Sequence, residues 1–204
     1  MAERTIRYYD SKAADQVQKY EQADMSEVHG ILCEAFTSGA RLLELGCGSG
    51  RDAAFLLSKG FDVLITDGSA NILDHALQIH PELEPRHRLL RLPGPFPFRE
   101  KEFDGVYAIG VFMHLDLSGY VASLKEIWRV LKKGGRFFLS VPHHRDDLIE
   151  KERDDMGRRY TALTEQDWIK ECESVGFVML STYETDDSLG RRGIGWTSFL
   201  LEKP

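Results

Sequence analysis

The stretch from Leu42 to Leu57, "LLELGCGSGRDAAFLL", sets Gly46, Gly48 and Gly50 at alternate positions between an apolar run and a helix-like pattern. Glycine tolerates positive φ and lets a ligand approach the backbone closely. A strand-to-helix turn with nothing bound needs fewer of them. A dinucleotide loop, G-x-G-x-x-G, wants a third glycine where this chain has Arg51. Glu44 precedes the first glycine; its carboxylate would repel a pyrophosphate and attract an ammonium or sulfonium group. Asp67 ends the next apolar run. An ionised carboxylate is a pure acceptor with two oxygens, which suits the paired hydroxyls of a ribose.

Side chains able to move a proton follow the later apolar runs. His114 comes after the fourth and His143 and His144 after the fifth. Histidine titrates near neutral pH. His114 is either a base for an acceptor that must lose a proton or a packing residue at the next helix start. His143 reads as a substrate contact or as half of a solvated pair. Tyr8, Tyr9 and Tyr20 lie in the N-terminal segment, with Tyr20 the candidate to meet substrate. Arg145, Arg153, Arg158 and Arg159, and later Arg191 and Arg192, could grip an anion. The interspersed Asp146, Asp147, Asp154 and Asp155 read equally as a mixed-charge surface. Cys33, Cys47 and Cys172 form no C-x-x-C pair, so no metal site or disulfide framework is suggested.

The elements that must position these groups alternate. Strand-like runs "ARLLEL", "FDVLITD", "RHRLLRLP", "FDGVYAIGVF" and "RFFLSVP" are separated by helical patterns, among them "RDAAFLLSKG", "SANILDHALQIH" and "SGYVASLKEIWRVLKKGG". "PGPFPFREKE" is a loop, since its prolines exclude regular structure. "TEQDWIKECESVGF" is a helix begun by Thr164, and "VMLSTY" and "WTSFLLEK" close the chain as an antiparallel pair. Ahead of all this, "AADQVQKYEQA" and "MSEVHGILCEAF" read as amphipathic helices, with Ser26 as a cap and Gly39 as a stop. Strands and helices in this order predict right-handed crossovers and a doubly wound sheet, with the ligand crevice at the carboxyl ends of the strands.

The 204 residues fit one α/β domain, with helices over 1–39 and a core over 40–204. Lys plus Arg is 26 against 33 Asp plus Glu, a formal charge of −7, which counts against long nucleic acids as partners. No run approaches the roughly 20 apolar residues that span a bilayer. A reducing cytoplasm is the simplest setting for the scattered cysteines.

Together these motifs resemble the class I S-adenosylmethionine-dependent methyltransferases, of the methyltransferase type 11/25-like kind. "LLELGCGSG" resembles the family's first motif and "VLITDGSANIL" its second. "FPFREKEFDGVYAIGVFMHL" resembles the fourth-strand segment, and "EIWRVLKKGGRFFLSVP" the helix, turn and fifth strand. The resemblance implies a Rossmann-like, mostly parallel sheet of seven strands in the order 3-2-1-4-5-7-6, last strand antiparallel, with an N-terminal helical lid. It implies S-adenosyl-L-methionine as cofactor. Glu44, Gly46, Cys47, Gly48 and Gly50 would cradle its methionine portion, and Asp67, flanked by Gly68 and Ser69, its ribose. Leu92 would lie near the adenine, with Ile109 and Gly110 opposite the glycine loop. Two departures stand out. "LLRLPGPFPF" lacks the acidic residue that many relatives place against the adenine amino group. "AIGVFMHL" stands where methyltransferases of exocyclic base amines carry [N/D]-P-P-[Y/F/W]. The implied function is methyl transfer to a small-molecule acceptor, with an RNA acceptor or a non-catalytic cofactor-binding role as alternatives.

Overall fold

The computed structural model describes residues 3–145, 153–161 and 163–204, without the side chain of His144. Three helices come first: α1 (Glu3–Ser11), α2 (Ala13–Glu21) and α3 (Ser26–Ala35). Then strands and helices alternate: β1 (Arg41–Leu45), α4 (Arg51–Ser58), β2 (Asp62–Asp67), α5 (Ala70–Ile79), β3 (His87–Leu89), β4 (Phe103–Ile109), α6 (Leu117–Val130), β5 (Leu131–Arg145) and α7 (Glu165–Val175). The chain closes with β6 (Val178–Asp186) and β7 (Ile194–Glu202).

The seven strands form one sheet in the order β3-β2-β1-β4-β5-β7-β6, as expected. β1 pairs parallel with β2 and β4, and β4 with β5, while β7 runs antiparallel between β5 and β6. Side chains alternate across this sheet because the strand period is two. Leu43, Leu45, Val106 and Phe137 join one apolar cluster, under α6 and α7 with Tyr120, Leu124 and Trp168. Leu42, Tyr107 and Phe138 join the other, with Leu32 of α3, Phe36 just after it, and Ala53 and Leu56 of α4. Both faces are covered, which is why the strands read as near-continuous apolar runs. Each such side chain, fully buried, contributes about 1.5–3 kcal/mol.

Local chemistry sets the helix ends that aim the site. Ser69 accepts the Ile72 N–H at 3.1 Å and starts α5, and Thr164 forms a reciprocal capping box with Asp167 at α7. At α3 the expected cap is corrected: Ser26 is itself helical, and Asp24 accepts both its N–H (3.0 Å) and its hydroxyl (2.7 Å). That helix also ends at Ala35, where Phe36 turns extended, well before Gly39. α6 stops at Val130 rather than running to the following glycines, because Leu131 already pairs with Phe103 in the sheet. β3 is only three residues long. α1 is a helix not read from the charged start of the chain.

Candidate functional site

The carboxyl ends of the strands and the first three helices enclose a cavity of about 170 Å³. Its floor is the turn from β1 to α4. The Gly46 and Cys47 N–H groups both donate to the Thr66 carbonyl at 2.8 Å, and Gly50 N–H donates to Cys47 O at 2.9 Å. This pins the loop to β2. Gly46 and Gly48 have φ of +75° and +56°, conformations that strain any other residue. A Cβ on Gly46 would stand 2.3 Å from Val111 Cγ2, and one on Gly48 would stand 3.1 Å from the Tyr20 ring. A Cβ on Gly50 would instead meet Leu83 at 2.8 Å, so Gly50 serves helix packing and lies outside the cavity wall.

Asp67, at the end of β2, faces the cavity beside the loop. Its Oδ2 accepts the Gly48 N–H at 3.3 Å and its Oδ1 the Ser69 N–H at 2.9 Å. Burial nevertheless raises its pKa to about 6, against these hydrogen bonds. Gly68, Ser69, Leu90 and Leu92 continue the wall on this side, and Ile109 and Gly110 form it opposite, after β4.

Glu44 occupies a different place from the one its position in the motif suggests. It is 2% exposed, beneath the loop and outside the wall, and its Oε2 has no hydrogen-bond partner among the described residues. Burial, then the nearby Asp52, holds its carboxyl well above the usual range. Cys47 does line the cavity, but burial and the charge of Asp67 push its thiol pKa far up, so it is a neutral, unreactive thiol. His143 is exposed, bonds Thr197 Oγ1 at 2.8 Å and packs on Gly195; it is not in the wall.

The lid is contributed by α1 and α2, with Ile6, Tyr9 and Tyr20 facing the cavity. Polar latches tie it down. Arg51 donates to the Tyr20 carbonyl while gripping both oxygens of Asp52, at 3.0 and 3.1 Å. Asp52 in turn is 2.7 Å from His29 Nε2. Burial raises the Asp52 pKa, but the His29 and Arg51 contacts outweigh it and leave it below the usual value. The residue that replaces the third glycine of a dinucleotide loop is therefore a strut between loop and lid. Ser69 donates its hydroxyl to Asp10 of α1, and Asn71 Nδ2 donates to Asp10 O at 2.9 Å.

His114 lies in the wall, 1% exposed, with both ring nitrogens engaged. Nδ1 is 2.6 Å from the Arg159 carbonyl, so it must carry the proton; Nε2, 3.0 Å from Tyr9 Oη, then accepts. Burial lowers its pKa to about 4. Several wall residues carried no signal in the sequence: Tyr160, Met113 and Trp196. The Trp196 ring lies 3.3 Å from where a Cβ on Gly110 would be, and its indole donates to Asp187 Oδ1 at 2.9 Å. The cations in the wall are paired: Arg51 with Asp52, Arg158 with Asp154 at 2.6 Å, and Arg191 with Asp187 at 2.6 Å. Arg145, Arg153, Arg159 and Arg192 lie outside the wall. Asp146 and Asp147 lie outside the described residues. Among the described residues no helix is long and apolar enough to cross a membrane, and no group of three His, Cys, Asp or Glu could hold a metal.

Residues 43–139, from within β1 to within β5, match the family model of the methyltransferase domain. That match covers just under half of the chain. The resemblance to the class I S-adenosylmethionine-dependent methyltransferases stands on that match. An uncharacterized protein of Methanocaldococcus jannaschii is 32% identical over 125 residues, 60% of this chain and 50% of that protein, so the chain spans about half the length of this curated relative. Among solved structures, the methyltransferase partner in a Haloferax volcanii complex with the Trm112 activator superposes with a TM-score of 0.79 at 17% identity, over 98% of this chain and 97% of that one. A Burkholderia thailandensis 1,6-didemethyltoxoflavin-N1-methyltransferase, with its substrate and S-adenosylhomocysteine bound, superposes at 0.76 and 21% identity, over 97% and 87%. At these identities the likeness is one of fold, and it extends past residues 43–139 to the lid and the closing strands.

Proposed function

We propose that this chain transfers a methyl group from S-adenosylmethionine to a small-molecule acceptor, as one unit across 1–204. The observation that carries the reading is the pairing of the pinned glycine loop with Asp67, whose carboxylate faces the cavity from the end of β2. The donor set fits the cofactor. Gly46 and Gly48 leave room where a side chain would collide. Asp52 and Asp67 set carboxylates beside the loop, which favours a cationic ligand over a pyrophosphate. Glu44, its carboxyl held well above the usual range by burial, adds no negative charge to this field. Asp67 would take the ribose hydroxyls. Leu90, Leu92 and Ile72 offer an apolar slot for the adenine, which accounts for the missing acidic residue.

When bound, the cofactor supplies an electrophilic methyl group on a sulfonium sulfur. The protein then aligns donor and acceptor and keeps water out, the larger part of such catalysis. A small acceptor is supported by a cavity covered by α1 and α2 and by the pairing of its cations, which leaves no basic track in its wall among the described residues. The Burkholderia neighbour holds 1,6-didemethyltoxoflavin together with S-adenosylhomocysteine. A cytoplasmic setting accords with the free cysteines. A screen with labelled S-adenosylmethionine against metabolite extracts and, separately, total RNA tests the reading. Label in small molecules supports it, label in RNA replaces the acceptor, and cofactor binding without transfer would leave a sensor.

A further inference from the structure

Methyl transfer to an oxygen acid requires a group that accepts its proton, and His114 cannot do so directly. Its Nδ1–H is spent on the Arg159 carbonyl, and its Nε2 lone pair is covered by the Tyr9 hydroxyl. The Tyr9 oxygen is different. It donates to His114 Nε2 at 3.0 Å and accepts from Arg158 Nη1 at 3.3 Å, in the wall of the cavity. A phenol oxygen has a second lone pair, and the Tyr20 hydroxyl of α2 is the neighbour on that side, which an acceptor hydroxyl would displace. Arg158 is held in place by Asp154, with Nε to Oδ2 at 2.7 Å, and lies over the Tyr9 ring at 5.9 Å. Its positive charge lies beside that oxygen. Met113 and the aromatic rings of Tyr160 and Trp196 line the same cavity.

Resting on the reading above, we propose that Tyr9 of the lid is the catalytic proton acceptor, with His114 behind it as a positioning residue and proton store, and that the acceptor molecule is a neutral aromatic compound bearing an acidic hydroxyl. The acceptor's O–H proton passes to the Tyr9 oxygen as the Tyr9 proton passes to His114 Nε2. The electron pair left on the acceptor oxygen forms the new bond to carbon, and the carbon–sulfur bond breaks with its pair on sulfur. The positive charge that leaves the sulfonium is carried away as imidazolium, which returns its proton through Tyr9 to solvent. His114 faces Tyr9 from α1, Arg145 from the end of β5, and Asp154, Arg158 and Tyr160 from the segment after it; burial first, then the two arginines, keeps it neutral at rest. A neutral amine acceptor has no need of this relay, since its lone pair is already free.

The test uses phenol, 4-cyanophenol and 4-nitrophenol, which rise in acidity, with aniline as the nitrogen control. Binding is followed by the tryptophan quenching that Trp196→Phe removes, and transfer by label. We expect transfer to the phenols, and a loss of kcat of about a hundredfold or more for Tyr9→Phe on phenol, in the range of general-base effects. The loss should shrink toward none on 4-nitrophenol, which is largely ionised already, with the calorimetric affinity for S-adenosylmethionine unchanged. In the free protein, nitrogen NMR should show His114 as the Nδ1–H tautomer, with its Nε2 signal moved by Tyr9→Phe. An equal loss on all phenols, no loss on any, or transfer to aniline alone overturns the proposal. So does silence from every probe while the cofactor binds, which leaves the methyltransferase reading standing; failure of cofactor binding itself would count against that reading.

Discussion

The Tyr20 ring lies 3.1 Å from the point where a side chain on Gly48 would begin, so the lid rests directly on the glycine loop. Gly48→Ala should therefore act twice: by strain at φ of +56°, about 1 kcal/mol, and by pushing Tyr20 off the loop. We expect a modest fall in melting temperature and a tenfold or greater loss of cofactor affinity by calorimetry. Gly50→Ala is the contrast. Its Cβ would strike Leu83, away from the cavity, so stability should fall at least as far while affinity in the folded fraction holds.

Arg51 should matter to the lid more than to the ligand. Arg51→Ala removes the donor to the Tyr20 carbonyl and one partner of Asp52, whose remaining contact is His29. Stopped-flow measurement should show the cofactor leaving several-fold faster, and amide exchange in α1 and α2 should quicken. Unchanged exchange there would mean the latch carries no load.

Asp67 links binding to pH. Its pKa in the folded chain, about 6, stands above the usual carboxylate value, so ionising it works against the fold. The contribution of this group to stability is greatest below the ordinary value and is lost as pH rises through about 6. Asp67→Asn should accordingly gain stability relative to the parent at neutral pH and not in acid, read from melting curves. The ionised form is the one that accepts two ribose hydroxyls. Cofactor affinity should fall up to tenfold per unit of pH below about 6. Asp67→Asn should bind weakly at every pH.

The hairpin wall depends on Asp187, which accepts from Arg191 and from the Trp196 indole. Burial would raise its pKa, but the Arg191 contacts bring it to about 2, so its support persists above the usual carboxylate range and disappears only as pH falls through about 2. Asp187→Asn should raise the KM for the acceptor several-fold and leave cofactor affinity alone. A matching loss of cofactor affinity would place the hairpin on the wrong half of the site.

Much of this was legible in the residues. Strands buried on both faces betray themselves as apolar runs, and the alternate glycines mark a loop that can only follow β1. Less visible was how a motif divides its labour. Gly50 resembles Gly48 in sequence, yet one packs against Leu83 and the other faces Tyr20. Glu44 and His143 looked like contacts, and the pleat and a bulge near the end of β5 direct them elsewhere. α1 escaped notice because charged residues dominate its sequence, although Ile6 and Thr5 are buried. Tyr160 and Trp196 have no local signal at all, since only the topology brings them beside His114 and Gly110.

Calorimetric titration of the protein with S-adenosylmethionine, S-adenosylhomocysteine and NAD tests the central claim most directly. The account predicts saturable binding of the first two, at least tenfold weaker in Asp67→Ala, and none of NAD. Binding of NAD with no response to the sulfonium compound would contradict it.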